Sequence, residues 1–531
     1  MKKNTFEILS KYFTHKNIYL FGLGIMLVSL PLSTFGMSLS QAILGANWLS
    51  EGKFKKKFND FFHNKVAIAI VSIFILHIVG LIYTTDFGYA MKDLRIKSPL
   101  FILPFILSTT DKINIKQLYN LLLVFISFVL LGTLISTYHF LKDEYLDIRD
   151  ISLFISHIRF SLLICFSIFI LAYLYFKRNS FPKPFRYVFI ILILWFAFFL
   201  IILEAFTGIA ILLIISFVFL VYLIFTKKNL ITKFVLILIL VGFPISAFYY
   251  VNAIYKESIL VKVVDFKKLD GFTSKGNTYY HDIVSEQREN GNLVGIYICP
   301  IELEETWKKR SKFDINGKDL KGQQIKSTLM RFLTSLDKRK DADGINSLTK
   351  EQIIQIEKGV ANAKYQDRFS IRDRIYESFW EIQNYLTYKN PNGQTLVQRY
   401  IYWKASIELI KKNPILGVGT GDMNIAFNNH YDQYYKELDK AFRWRSHNQY
   451  LSITVAFGFV GLIWFLIALF YPVFKAKKVF NYLYITFFLI MIISMLTEDT
   501  IETQPGVTFF AFFSSLFLFT YNEEKDKKSI E

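Results

Sequence analysis

The sequence predicts an all-α polytopic membrane protein of about twelve transmembrane helices, with a large, mainly helical domain outside the membrane between the ninth and the tenth. Three observations lead there. Of 531 residues, 53% are hydrophobic and 18% aromatic, more than the core of a soluble domain requires. The apolar residues gather in runs long enough, or nearly so, to cross about 30 Å of hydrocarbon as helix. The net charge of +19 comes from Lys and Arg in short segments between those runs, a pattern of membrane orientation. Membrane lipid, and no nucleic acid, is the anionic neighbour expected.

The apolar runs lie near 17–35, 37–50, 66–84, 98–109, 117–137, 151–176, 187–203, 207–225, 231–251, 449–474, 479–496 and 507–521. The N-terminal MKKNTFEILSKYFTHKN leads into the first run with no small-residue cleavage site, so that run is expected to be a retained span. The second and fourth runs are short and are expected to be tilted, re-entrant or packed within the bundle. Lys53, Lys55, Lys56, Lys57 and Lys65 follow the second run; Lys177, Arg178, Lys183 and Arg186 the sixth; Lys227, Lys228 and Lys233 the eighth; Lys475, Lys477 and Lys478 the tenth. If the spans alternate, these loops share one side, which the positive-inside rule makes cytoplasmic along with both termini. The opposite loops, such as KDEYLDIRD and TEDTIETQPG, are acidic or mixed, apart from Lys92, Arg95 and Lys97. The expected organisation is an N-terminal bundle over 1–251, an outer domain over 252–448, and the last spans with a cytoplasmic tail over 449–531.

The outer segment carries helix signals. Thr349 and Gln352 fit a capping box, with Leu348 and Ile353 placed to staple across it. Ile371, Ile375, Phe379, Ile382 and Leu386 recur at helical spacing and predict a second amphipathic helix. A third carries Leu396, Tyr400, Trp403, Ile407 and Ile410 on one face, with Arg399 near its start, and is expected to end before Asn413-Pro414.

Several motifs carry less than they suggest. In GVGTGD, over 417–422, no strand precedes the glycines and the third comes too early for a dinucleotide fingerprint, so a tight turn is expected. KDADG and DINGKD lack the opening acid and the closing Glu of a calcium loop and read as solvated turns. Cys165 and Cys299 offer neither a disulfide framework nor a thiolate metal site. No metal or nucleotide motif occurs, and no cofactor is expected.

The segment Arg443, Trp444, Arg445, Ser446, His447 and Asn448 directly precedes the tenth run. Helix N-terminal N–H groups and arginines suit a diphosphate there, and a neutral imidazole could take a proton from an attacking hydroxyl. Equally, the histidine could be an interfacial residue bonded to a loop, with the arginines snorkelling.

The order of these features resembles the O-antigen ligase family. An Arg-led helix ends in NPILGVGTGD; SHNQYL and a span containing AFGFVG follow; TEDTIETQPGVTFF precedes the last span; upstream, YTTDFGYAMKDL and ISHIRFSLLI also fit. The resemblance implies a GT-C-like membrane glycosyltransferase that moves a glycan from undecaprenyl diphosphate to lipid A-core or a protein acceptor on the periplasmic face of the bacterial inner membrane, without metal or nucleotide. It implies His447 as the base and Arg399 as a holder of the diphosphate. Asn448 would orient the histidine or a sugar hydroxyl, and Gly417, Gly419 and Gly421 would shape the turn facing the site. Arg443 and Arg445 are added by proximity. His157 and Arg159, about two turns into the sixth span, are added because polar residues at that depth face cavities. Where family members carry Ser-Arg-Thr-Gly, this chain has AFTG, with Phe206 in the arginine's place. Arg159 or Arg95 would then supply the missing cation. A polymerase extending the carrier-linked glycan shares this chemistry, whereas a transporter or flippase is disfavoured because no internal repeat is visible.

Overall fold

The computed structural model describes residues 14–142, 148–177, 180–259, 261–366 and 371–521. Residues 1–13 of the N-terminal segment, Arg178, most of the acidic KDEYL run and the C-terminal tail lie outside these. Two compact units are present: Met1–Phe219 with Gln398–Glu531, and Leu220–Val397.

Every apolar run becomes a helix. The chain begins with α1 (His15–Leu32), α2 (Thr34–Ser50), α3 (Phe54–His63), α4 (Lys65–Val79), α5 (Phe87–Lys97), α6 (Pro99–Thr109) and α7 (Ile115–Lys142). It continues through α8 (His157–Phe176), α9 (Lys183–Ile202), α10 (Phe206–Thr226) and α11 (Leu230–Ser258). The polar segment holds the two-residue antiparallel strands β1 (Arg288–Glu289) and β2 (Asn292–Leu293), then α12 (Pro300–Arg310), α13 (Ile325–Ser335), α14 (Ala342–Asn346), α15 (Lys350–Glu357) and α16 (Ile371–Tyr388). Last come α17 (Thr395–Lys412), α18 (Met423–Tyr434), α19 (Gln449–Lys475), α20 (Tyr482–Thr497) and α21 (Gln504–Phe519). Among the described residues eight helices are long and apolar enough to cross a membrane, and α20 and α21 are apolar but shorter. The chain is therefore a multi-pass membrane protein.

In the first unit α1 packs on α2 and α7, α8 on α9, α6 on α21, and α4 on α19. Its centre is aromatic: Phe166 of α8 meets Phe513 of α21 edge-on at 4.9 Å, with Phe125, Phe487, Phe509 and Phe517 around them. The core of the second unit joins Ile298, Leu303, Trp307, Leu329, Phe332 and Ile356 with Leu348 and Ile353. The capping box forms as expected, Thr349 accepting from the Gln352 N–H while the Gln352 side chain accepts from Thr349.

Four expectations need correction. Helices α3 and α5 occupy segments read as loops; Phe54, Phe58, Phe61 and Phe62 give α3 its apolar stripe, and Asp86 caps α5 by accepting from Tyr89. Helix α8 starts at His157, because Ser156 caps it after a separate 3-10 turn over Ile148–Ile151, so His157 and Arg159 sit in its first turn and not two turns inside. The amphipathic faces also differ. On α16 the buried side chains are Tyr376 and Glu381, while Ile382 and Leu386 are exposed. On α17 the buried residues are Val397, Ile401, Tyr402, Ala405, Ser406, Leu409 and Ile410, while Leu396, Tyr400, Trp403 and Ile407 are exposed. That helix is apolar on both sides, so spacing alone could not choose between them. Asp341 of KDADG is no solvated turn residue: it is buried and caps α14, accepting from Gly344 and from the Tyr279 hydroxyl.

Candidate active site

The link between α20 and α21 reads TEDTIET, and two of its carboxylates gather the charged residues of the first unit. Glu498, at the C-terminal end of α20, is buried. Its Oε2 accepts from Arg159 Nη1 at 3.1 Å and lies 3.7 Å from His447 Nδ1, while its Oε1 accepts from Arg399 Nη2. One carboxylate thus links a guanidinium from α8, one from α17 and the imidazole before α19. Arg159 and Arg399 also donate to the carbonyls of Asp499 (2.8 Å) and Thr497 (2.6 Å), fixing the link's backbone. Burial pushes the Glu498 carboxyl up, but His447 and the charges of Arg159 and Arg399 outweigh it and hold it at about 2.

Glu502, four residues on, anchors a second network. Its Oε2 accepts from Lys97 (2.6 Å) and Arg445 (3.2 Å), and its Oε1 from Gln449 (2.8 Å). Lys97 also donates to Asp93 at 2.6 Å, and the Gln449 side-chain Oε1 accepts from the Ile501 N–H. Lys97 and Arg445 hold the Glu502 carboxyl well below the usual carboxylate range despite its burial. His77, Asp93, Lys97, Thr420, Arg445 and Glu502 line a cavity with room for about one water molecule. Between the two carboxylates, Asp499 accepts from Ser452 (2.7 Å) and Ser446 (3.4 Å).

His447 stands just outside the α19 cap with φ +47°, a left-handed conformation that histidine adopts more readily than most residues. Asn448 is the cap: its Oδ1 accepts from Leu451 N–H (3.1 Å) and its Nδ2 donates to Leu496 (2.8 Å). These bonds tie the amide to α19 and α20, and the cap uses one of the N–H groups otherwise open to an anion at that helix end. The Tyr402 ring lies 5.7 Å from the imidazole, and the imidazole is about one-third exposed (33%).

The NPILGVGTGD turn does a different job from facing the histidine. Helix α19 breaks at Gly458, whose φ of +63° and ψ of −167° are open only to glycine. A broken span strands backbone groups that lipid cannot satisfy. The turn satisfies them: Val418 and Gly419 N–H donate to Val455 and Ala456 (2.9 and 2.8 Å), and Phe459 and Val460 N–H donate to Pro414 and Ile415 (2.8 and 3.4 Å). A Cβ on Gly417 would lie 2.4 Å from the Ala456 carbonyl carbon, one on Gly419 3.1 Å from the Gly80 oxygen, and one on Gly421 2.1 Å from the Asp86 oxygen. Asp422 completes the joint by accepting from the N–H groups of Thr85 and Asp86. Thr420, not the glycines, lines the cavity.

The remaining candidates are dispersed. Arg443 is paired with Asp432 and donates to the Leu438 carbonyl at 3.0 Å. Arg445 belongs to the Glu502 network. Arg95 is exposed on α5, and its side chain has no partner among the described residues. His157 is half-buried in the first turn of α8. Phe206 opens α10 and is exposed, and the Gly208 carbonyl beside it accepts from Cys165 at 3.1 Å. Sequence reasoning missed Glu498, Glu502 and Tyr402 as partners of the site. The acidic TEDTIET run between two spans was the one visible signal for the first two.

A family model described as O-antigen ligase matches residues 352–466, which include Arg399, the glycine turn and His447. No curated protein matches the chain. The match covers that segment of the chain and supports a membrane glycosyltransferase of the O-antigen ligase or polymerase type.

Proposed function

We propose that this protein is the ligase form of that enzyme. It takes an oligo- or polysaccharide from undecaprenyl diphosphate and passes it to lipid A-core or a protein on the extracytoplasmic side of the bacterial inner membrane. The observation that carries this reading is that His447 and Arg399 meet on one buried carboxylate, Glu498, while both keep partial exposure. The reaction asks for those two groups. The acceptor hydroxyl attacks the anomeric carbon and forms the new C–O bond as its proton passes to the imidazole. The bond from that carbon to the phosphate oxygen breaks, and the diphosphate leaves with the electron pair and one more negative charge. Glu498, beside Nδ1, favours the tautomer that leaves Nε2 open to take the proton and stabilises the imidazolium that results. Of the five guanidinium N–H donors of Arg399, two are used on Thr497 and Glu498, leaving three for a phosphate oxygen. This machinery needs no metal. With Arg159 engaged by Glu498 and the Asp499 carbonyl, Arg95, exposed and unpaired among the described residues, is the candidate left to replace the cation absent at Phe206.

In this reading twelve spans alternate, both termini are cytoplasmic, and residues 252–448 stand outside. The positive loops after the second, sixth, eighth and tenth apolar runs support that orientation. Deleting the gene and examining envelope glycans tests the assignment. Full-length polymer stranded on the carrier is expected of a ligase. Single repeats on the acceptor would make it a polymerase, and unchanged glycans would reject both.

A further inference from the structure

The segment RWRSHN is held in a way that singles out one side chain. Arg443 is extended, with φ −91° and ψ 103°, and its guanidinium is tied to Asp432 and Leu438. Arg445 is tied to Glu502. Two tyrosines fix the backbone between them: Tyr402 of α17 donates to the Phe442 carbonyl and Tyr431 of α18 to the Trp444 carbonyl at 2.8 Å. In extended chain, successive side chains point to opposite sides, so anchoring both arginines turns Trp444 the other way. At 60% exposure it is the most exposed of the seven tryptophans, and its indole N–H has no partner among the described residues. Its ring centroid is 6.5 Å from that of His447. A large apolar ring on a fixed backbone, left in the open beside a proposed base, needs an occupant.

We propose that the Trp444 indole is the stacking platform for a hexopyranose ring of the acceptor, seated so that one of its hydroxyls reaches His447. A pyranose presents axial C–H bonds on one face and hydroxyls around its rim. The indole matches the face, its N–H matches a rim hydroxyl, and the imidazole stands at the edge where a nucleophilic hydroxyl would lie. The proposal rests on reading His447 as the base, and it narrows the acceptor to a glycan, whether glycolipid core or growing chain, rather than an unglycosylated protein side chain.

The test uses full-length protein in detergent, with envelope glycolipid from a host lacking the gene as acceptor. Trp444→Leu should raise the acceptor KM about tenfold or more, the scale of one lost aromatic contact, with kcat and the donor KM moving less than about twofold. Trp444→Tyr, which keeps a flat ring and a polar handle, should stay within about threefold of the parent. Saturation-transfer NMR with the same glycolipid on His447→Gln should show saturation of the ring C–H protons, lost when Trp444→Leu is added. An unchanged acceptor KM, an equal rise for Leu and Tyr, or a rise in donor KM alone would overturn the proposal, the first leaving an interfacial anchor only. Glycosylation of bare protein in place of the glycolipid would overturn it too. Full transfer by His447→Gln would instead remove the base, while the NMR comparison would still decide Trp444.

Discussion

Glu498 and Glu502 stand four residues apart in one short link, each buried and each holding two cations, yet they sit in different kinds of site. Around Glu502 the Lys97 side chain is 1% exposed and the carboxylate 5%, while Arg445 is 22% exposed. Around Glu498 the carboxylate is equally hidden, and Arg399 and His447 are 24% and 33% exposed. An ion network whose charges cancel and whose members include no histidine has little left to offer a substrate. The Glu498 cluster keeps donors and a titratable ring within reach of lipid-linked sugar. Charge clustering and a partly exposed arginine are common to both clusters; what sets the Glu498 cluster apart is the partly exposed imidazole of His447.

The largest effect expected from breaking the comparison is at Lys97. Lys97→Met leaves Glu502 and Asp93 buried without their shared cation, a change that typically costs about 3–5 kcal/mol. Thermal unfolding in detergent should show it as a large fall in Tm, whereas a near-normal Tm would mean that the buried Lys97 pairs are not a structural anchor. Gly458→Ala should come next. It forces a side chain into φ +63° and puts Cβ 2.1 Å from the Ile415 oxygen. The backbone strain alone is about 1–3 kcal/mol, and the clash adds to it. A wild-type Tm would contradict the joint between α19 and the glycine turn.

A subtler effect concerns Glu498. Its carboxyl is held at about 2 in the folded protein, below its ordinary value of 4.5. Its ionised form therefore contributes stability above about 4.5, which is lost as pH falls towards about 2. Stability measured against pH should be flatter across that window in Glu498→Gln than in the parent, and parallel curves would show that Glu498 is not strained towards ionisation by its partners. The smallest effect belongs to Arg443, whose partner Asp432 is 61% exposed. The Arg443 side chain itself is 7% exposed and also donates to Leu438, so Gln, which keeps a donor there while giving up a solvent-screened carboxylate, should lower Tm only slightly. A loss of several kcal/mol would mean that Arg443 does more than pin its loop.

Much of the architecture was legible because it rests on local chemistry. Each apolar run predicts a helix wherever it packs. The Thr349–Gln352 box depends on residues three apart, and Pro414 limits α17 through its own ring. What was hidden depends on distance or degeneracy. Helix α17 is apolar on both faces, so only packing selects Ile401 and Ala405 over Tyr400 and Ile407. Gly458 sits in an apolar run like any other glycine, and the turn that completes its break lies some forty residues upstream in the chain. His447 and Arg399 could be proposed from motif order, whereas the carboxylate joining them lies beyond two further apolar helices, α19 and α20. The loop reading of 87–97 concealed Lys97 as a buried cation, because its partner Glu502 is more than four hundred positions away.

The central claim is that the open cluster around Glu498 performs glycan transfer. It is tested most directly by assaying purified His447→Ala and Arg399→Ala side by side for transfer from lipid-linked glycan to acceptor. Loss of the base should cost about 10²- to 10⁴-fold. Loss of Arg399 should cost at least as much, because stabilising the departing charge is commonly the larger contribution. Full activity in either correctly folded variant would contradict the account.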